Sequence, residues 1–289
     1  MTEFTTTTTG DRVAYDLRGK GPALIFVAGA GPFRAIDPWS TETAERAAQQ
    51  GITTLVFDRL GRGESPAEGR LDLDRELDAI QALLDVVGGS AALCGHSSGC
   101  SISLRAAATG LPVDGLALWE APLAGVAADT QAWSDEVEQR MDAGDAEGAL
   151  SHYMKDMPPE WLAEAKASSE WGEIAAGVVS LRADGQSLAW AVAALEDGSL
   201  GGIRKPVLAM YGTETFPEMP VAAARIVEAI PGAIEKAVPG SEHTWQPEPM
   251  AAELTAFVKS CSQPTSAPAD HTDPSLEHRA ARFLQPPLV

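Results

Sequence analysis

The sequence predicts an α/β fold: a mainly parallel sheet of eight strands, flanked by helices, with a helical cap inserted. Three observations predict it. Buried apolar runs of strand length alternate with amphipathic runs of helix length, the order that gives parallel strands joined by right-handed helical crossovers. That alternation is interrupted once, over residues 123–202, where helical stretches are broken by Gly144, Pro158-Pro159, Gly172 and Gly185. One strand-to-helix junction is a Gly-rich turn with serine at its apex, Gly95-His96-Ser97-Ser98-Gly99.

Taken in order, residues 4–9 and 13–17 suggest an opening antiparallel hairpin. Strands are expected at 23–27, 53–57, 91–94, 115–119, 206–211 and 233–238, each a short apolar run. Helices are expected at 39–50, 72–87, 98–109, 220–230 and 248–260. The core then comprises residues 1–122 and 203–260, and the cap residues 123–202 over the C-terminal edge of the sheet. Residues 261–289 are rich in Pro, Ser and Ala and lack periodicity, which reads as a disordered tail, or one vector-derived from Leu276 onward. No internal repeat is present.

Composition narrows the function. No run approaches the ~20 apolar residues of a membrane span. The Thr-rich start lacks the basic patch and apolar core of a signal peptide, so a cytoplasmic location is expected. Cys94, Cys100 and Cys261 have no metal-ligand spacing and are expected to be free thiols. The net charge of −20 speaks against nucleic acid and anionic membranes as partners, because phosphate would be repelled. It is expected to be a solvated acidic surface. Neither a dinucleotide fingerprint nor a P-loop occurs, and no cofactor or metal is expected. Oligomeric state is open, a homodimer included.

The chemistry concentrates at four places. At Gly95–Gly99 a tight turn lifts the Ser97 side chain clear of the sheet, beside a helix N-terminus able to stabilise an oxyanion. The two glycines remove Cβ atoms that would collide in the turn. The strand at 23–27 ends in Ala28-Gly29-Ala30-Gly31, and the strand at 53–57 in Asp58-Arg59-Leu60-Gly61-Arg62-Gly63-Glu64-Ser65. Near the end, Pro239-Gly240-Ser241-Glu242-His243 follows the strand at 233–238. In this order and spacing the four motifs resemble the α/β-hydrolase superfamily over residues 4 to about 260. The resemblance implies Ser97 as nucleophile, His243 as base, and backbone N–H groups of Ala30 and Ser98 as the oxyanion hole, with Gly29 beside the substrate. Ala28 stands where these hydrolases usually carry histidine.

The third triad member departs from the common pattern. Most relatives carry Asp at the position of Thr215, and threonine cannot act as an anion. Two carboxylates compete. Glu214 adjoins that position, and Glu120 ends the strand at 115–119 within Trp119-Glu120-Ala121-Pro122. Some hydrolases of this fold place the acid on that strand, among them a subgroup with an aromatic-Glu-x-Pro motif and the zearalenone-type lactonases, so Glu120 is preferred. Asp58 belongs to a structural turn; His96 is expected to pack, and His152 in the cap to line the pocket or face solvent.

Four tryptophans fall in the cap: Trp133, Trp161, Trp171 and Trp190. They form either its core or an aromatic wall for a large apolar substrate. Trp119 and Trp245 adjoin Glu120 and His243 and are further pocket candidates. A serine nucleophile speaks against epoxide hydrolysis and dehalogenation, which need a carboxylate there. The leading expectation is an ester or lactone hydrolase acting on a moderately large apolar small molecule. Two other readings stay open: a cofactor-free perhydrolase, lyase or cyclase of specialised metabolism, and a receptor-like binding protein.

Overall fold

A computed structural model describes residues 2–262, so most of the expected tail lies outside the described residues. The chain opens with an antiparallel hairpin, β1 (Glu3–Thr6) and β2 (Arg12–Gly19). β1 is shorter than expected because the chain turns at Thr7, whose carbonyl accepts the Gly10 N–H. Then follow β3 (Ala23–Val27), α1 (Pro38–Gln49), β4 (Thr53–Phe57), α2 (Leu73–Val86), β5 (Ala91–His96), α3 (Ser98–Ala108) and β6 (Val113–Trp119). Asp37 and Asp72 cap α1 and α2 by accepting the Ser40 and Arg75 N–H groups.

The segment between β6 and β7 forms α4 (Ala127–Asp142), α5 (Ala146–Tyr153), α6 (Pro159–Ala167), α7 (Trp171–Ala176), a 3-10 stretch at Gly177–Leu181 and α8 (Arg182–Glu196). Gly144 separates α4 from α5 and Pro159 opens α6, whereas Gly172 and Gly185 lie inside helices and break nothing. The chain closes with β7 (Val207–Glu214), α9 (Glu218–Ala229), β8 (Ile234–Ser241), β9 (Thr244–Trp245) and α10 (Pro247–Cys261). Cys261 is therefore helical rather than part of a tail.

The sheet has nine strands in the order β1-β2-β4-β3-β5-β6-β7-β8-β9. It is one strand wider than expected: β9 has only two residues, too few to show as an alternating pattern. Strands β3 to β8 run parallel and the rest antiparallel. The parallel strands β3 to β7 are buried on both faces over most of their length, which explains their apolar runs, whereas β8 is largely exposed. On one face Ile25, Leu55, Leu93 and Leu116 pack with Leu83 of α2 and Ile102 of α3. On the other, Leu24, Phe26, Cys94 and Trp119 pack with Ala44 of α1 and Leu254 of α10.

The inserted helices divide between two clusters. Val137, Met141, Leu150, Tyr153, Val178 and Leu181 form one of their own. Ala183, Leu188, Ala191 and Val192 of α8 instead join the main core. So α8 packs on α2 and α3 at the edge of the main core and leads back toward β7, although it lies within the span expected to form the cap.

Order in the sheet reverses at β3, which has β4 on one side and β5 on the other. The crevice outside the carboxyl ends of β3 and β5 is where ligands bind in such sheets. The loop after β3 and the turn at Ser97 flank it.

Close packing at that crevice makes one substitution unusually costly. A Cβ on Gly99 would lie 2.1 Å from the Val27 carbonyl oxygen and 2.8 Å from that of Ala28. Gly99→Ala should cost at least about 2 kcal/mol by overpacking, read as a lower urea midpoint at unchanged m-value. Gly172→Ala, with nothing within 4 Å of the added atom, should be neutral or slightly stabilising.

Candidate active site

Ser97 follows β5 with φ 54° and ψ −126°, a conformation that strains any residue with a Cβ. The turn is held by the Ser97 N–H donating to the Trp119 carbonyl at 3.0 Å. Glycine is required on both sides: a Cβ at Gly95 would sit 2.6 Å from the Cys100 nitrogen, and Gly99 is as crowded by β3. A Cβ on Gly29 would lie 2.9 Å from Ser97 Cβ, so the loop after β3 runs directly against the serine. Ser98 opens α3 and is buried, while Ala30 packs beside the cluster of inserted helices. Both peptide segments thus adjoin Ser97.

Glu120 follows β6 with φ 47° and is 1% exposed. One carboxylate oxygen, Oε2, lies 2.6 Å from His243 Nδ1. The other, Oε1, accepts the Gly212 N–H at 2.9 Å and the Thr215 hydroxyl at 2.5 Å. Burial opposes the charge of Glu120, but the bonds from His243, Thr215 and Gly212 outweigh it and hold the carboxyl below its ordinary pKa. Thr215, at the position expected for the acid, instead donates its hydroxyl to Glu120. Glu214 is exposed on the neighbouring backbone and does not reach the imidazole. Asp58 accepts the Arg34 and Glu64 N–H groups and organises its own turn.

His243 sits between β8 and β9 with φ 69°, after Glu242 with φ 50°. Its carbonyl accepts from His96 Nε2 at 3.1 Å and from Trp119 Nε1 at 3.3 Å. With Nδ1–H donating to Glu120, the neutral imidazole keeps Nε2 as its acceptor. Among the described residues no hydrogen bond joins Ser97 Oγ to the imidazole. Such contacts are commonly loose in free enzymes and tighten with substrate. His96 is no base: burial above all, with the His243 ring beside it, pushes it down to about 3, and it anchors the histidine loop as a neutral donor. His152 lies on α5, where its carbonyl accepts from Trp133 Nε1 at 3.1 Å.

The six candidate tryptophans fare differently. Trp161 is brought near the imidazole, its ring centroid 6.5 Å from that of His243. Phe216, which sequence reasoning missed, stands 6.5 Å from His243 and 6.2 Å from Trp161. Trp119 is 0% exposed and has no surface for a ligand, and Trp245 is spent on a bond to the Thr43 hydroxyl within the core. Trp190 packs against the main core with Arg105 stacked on its ring. Trp133 packs on Tyr153 and Trp171 on the same cluster of inserted helices.

Sequence reasoning also missed the buried ions beneath the serine. Asp184 of α8 accepts from Ser98 Oγ at 2.6 Å, Arg59 Nη1 at 2.6 Å and Arg62 Nη2 at 2.9 Å. Burial disfavours every charge there. Asp184 is nonetheless held below its ordinary pKa by the two arginines, and Arg62 is pushed down to about 10 by burial and by Arg59 beside it. Among the described residues no cluster fit to hold a metal occurs, and no helix is long and apolar enough to cross a membrane.

Thr215 yields a prediction with a defined sign. Because the folded-state pKa of Glu120 is depressed, its contribution to stability is full above the unfolded carboxylate pKa and is lost as pH falls through the folded value. Removing one donor in Thr215→Val raises the folded value. The loss of stability as pH falls from about 5 toward 2, measured by urea midpoints, should then be smaller than in the parent.

The profile of the alpha/beta hydrolase family matches residues 24–256. An alpha/beta hydrolase from Sphaerobacter thermophilus superposes with a TM-score of 0.71 at 26% identity, covering 88% of this chain and 99% of that one. An esterase from Exiguobacterium antarcticum superposes at 0.59 with 19% identity, covering 90% and 100%. The enol-lactonase from Burkholderia xenovorans superposes at 0.52 with 18% identity, covering 89% and 97%. No curated protein matches the chain. With the nine-stranded sheet and the serine turn already described, the family match over most of the core shows that this chain belongs to the alpha/beta hydrolase family.

Proposed function

We propose that this hydrolase cleaves an ester or lactone of a moderately large apolar small molecule through an acyl-enzyme. The observation that carries the reading is the 2.6 Å contact between Glu120 and His243 Nδ1 at the same sheet edge as Ser97. The low-identity esterase and enol-lactonase share the fold and do not decide the substrate.

The residue types then dictate the steps. His243 Nε2 takes the proton of Ser97 Oγ as the oxygen attacks the carbonyl carbon. Glu120 holds the imidazole tautomer and stabilises the imidazolium. The N–H groups of Ser98 and Ala30 bind the tetrahedral oxyanion, each worth about 3 kcal/mol in comparable sites. The imidazolium protonates the leaving alcohol, or the ring-opened hydroxyl of a lactone. Water, deprotonated by the same imidazole, then releases the acid. The inserted helices act as a cap, and Trp161 with Phe216 presents aromatic surface to the substrate beside the imidazole.

Ser97→Ala should abolish turnover of p-nitrophenyl esters and labelling by a fluorophosphonate, at nearly unchanged melting temperature. Turnover near that of the parent would refute the nucleophile assignment. Ser97 and His243 should act as a unit, so that the double alanine variant is no worse than either single one.

Selectivity should follow the aromatic pair. Trp161→Ala and Phe216→Ala should change the ratio of kcat/KM between long-chain and acetyl esters by about tenfold, the scale of one or two methylene contacts. Trp171→Ala and Trp190→Ala should lower the melting temperature with that ratio intact. A ratio that moved with neither group would rule out an aromatic substrate wall.

A further inference from the structure

The ion cluster beneath Ser97 is larger than a turn requires. Arg59 is 0% exposed and bonds Glu76 at 2.9 Å, Asp184 at 2.6 Å and the carbonyls of Ala28 and Gly29 at 3.1 and 3.3 Å. Arg62 bonds the same Gly29 carbonyl at 2.6 Å, Asp184 at 2.9 Å and the Ser180 carbonyl at 3.1 Å. Asp184 is also 0% exposed and takes the Ser98 hydroxyl. Charges this deeply buried are poor investments for stability alone, since apolar replacements of equal volume often serve as well.

What distinguishes the cluster is where its bonds end. Four of them end on the Ala28-Gly29 segment and on Ser98, the two stretches next to the serine. From the Ala28-Gly29 side the chain continues into Ala30; on the other side Ser98 carries its own N–H. Bonding the Ala28 and Gly29 carbonyls from below fixes the orientation of the peptides leading into Ala30. Bonding the Ser98 hydroxyl fixes the first residue of α3. Both halves of the oxyanion hole are thereby referred to one carboxylate, which sits at the start of α8 just after the inserted helices.

We propose that Asp184 is a positioning residue for catalysis: through Ser98, Arg59 and Arg62 it sets the spacing between the two oxyanion donors. The inference rests on the acyl-transfer reading above. Its expected signature is selective loss of transition-state binding, because an oxyanion hole of wrong width binds the planar ground-state carbonyl almost as well as before.

The test is Ser98→Ala, which removes one hydroxyl and leaves every ion pair in place, with Asp184→Asn as the stronger perturbation. Ser98→Ala should lower kcat about tenfold with KM within about twofold, and raise the inhibition constant of a trifluoromethyl ketone, which forms the oxyanion on Ser97, by a similar factor. Its melting temperature should change little. Asp184→Asn should show the same pattern more strongly where it folds. Parent-like kcat and inhibition constant in folded Ser98→Ala would overturn the proposal. So would a loss carried by KM, or by melting temperature alone. Ser97→Ala separates the two levels: if it is inactive while Ser98→Ala is parent-like, only the positioning role falls, and if it remains active the acyl-enzyme reading falls with it.

Discussion

The site depends on backbone that L-amino acids avoid. Among the described residues only four non-glycine positions have positive φ, namely Ser97, Glu120, Glu242 and His243. Three of them are the proposed nucleophile, acid and base, and the fourth precedes the base. Each such conformation costs on the order of 1–3 kcal/mol and persists only where its surroundings over-determine it. Here they do. Ser97 is fixed by its bond to the strand of Glu120, Glu120 by its bonds to Gly212 and Thr215, and His243 by donors from His96 and Trp119. Strain at one strand end is held by hydrogen bonds from the next.

That mutual support explains how the proposed acid, Glu120, can sit at the end of β6 rather than after β7. The two strands are parallel neighbours, with Trp119 paired to Met210, so their carboxyl ends lie side by side. A glutamate turned by positive φ at the end of β6 reaches the imidazole that an aspartate at the Thr215 position would otherwise meet. The Gly212 N–H and the Thr215 hydroxyl then complete its second oxygen, and the carboxylate is satisfied on both sides in a buried setting. The crowding fits this arrangement, since a Cβ on Gly212 would stand 3.0 Å from Glu120 Oε1.

Much of this was legible in the sequence. The helices after β3, β4 and β5 fall within a residue or two of expectation, because apolar runs of the right length are flanked by Asp caps and glycines. The serine turn showed through its two glycines, and Glu120 through its place at a strand end before Ala121-Pro122. The two-residue β9 did not show, and α8 carries the same periodicity whether it packs on the main core or above it. Nor did the tryptophans sort themselves, since large aromatic side chains serve core and pocket equally. Trp119 turned out to hold the histidine loop through its indole N–H, and Trp245 to bond Thr43 in the core. The ion cluster did not show. Arg59 and Arg62 in the turn after β4 and Asp184 between Ala183 and Gly185 in α8 carry no local pattern that pairs them, because their partnership spans more than a hundred residues. Phe216 gave no signal, following as it does a strand end with no pattern around it.

The identity of the acid is the central claim, and kinetics of two glutamine variants test it most directly. Glu120→Gln keeps the shape of the side chain and removes the anion that stabilises the imidazolium, which should lower kcat by about 10⁴-fold. Glu214→Gln alters an exposed side chain and should leave kcat within about tenfold of the parent. A Glu120→Gln enzyme that retains kcat within about tenfold while Glu214→Gln loses orders of magnitude would contradict the account.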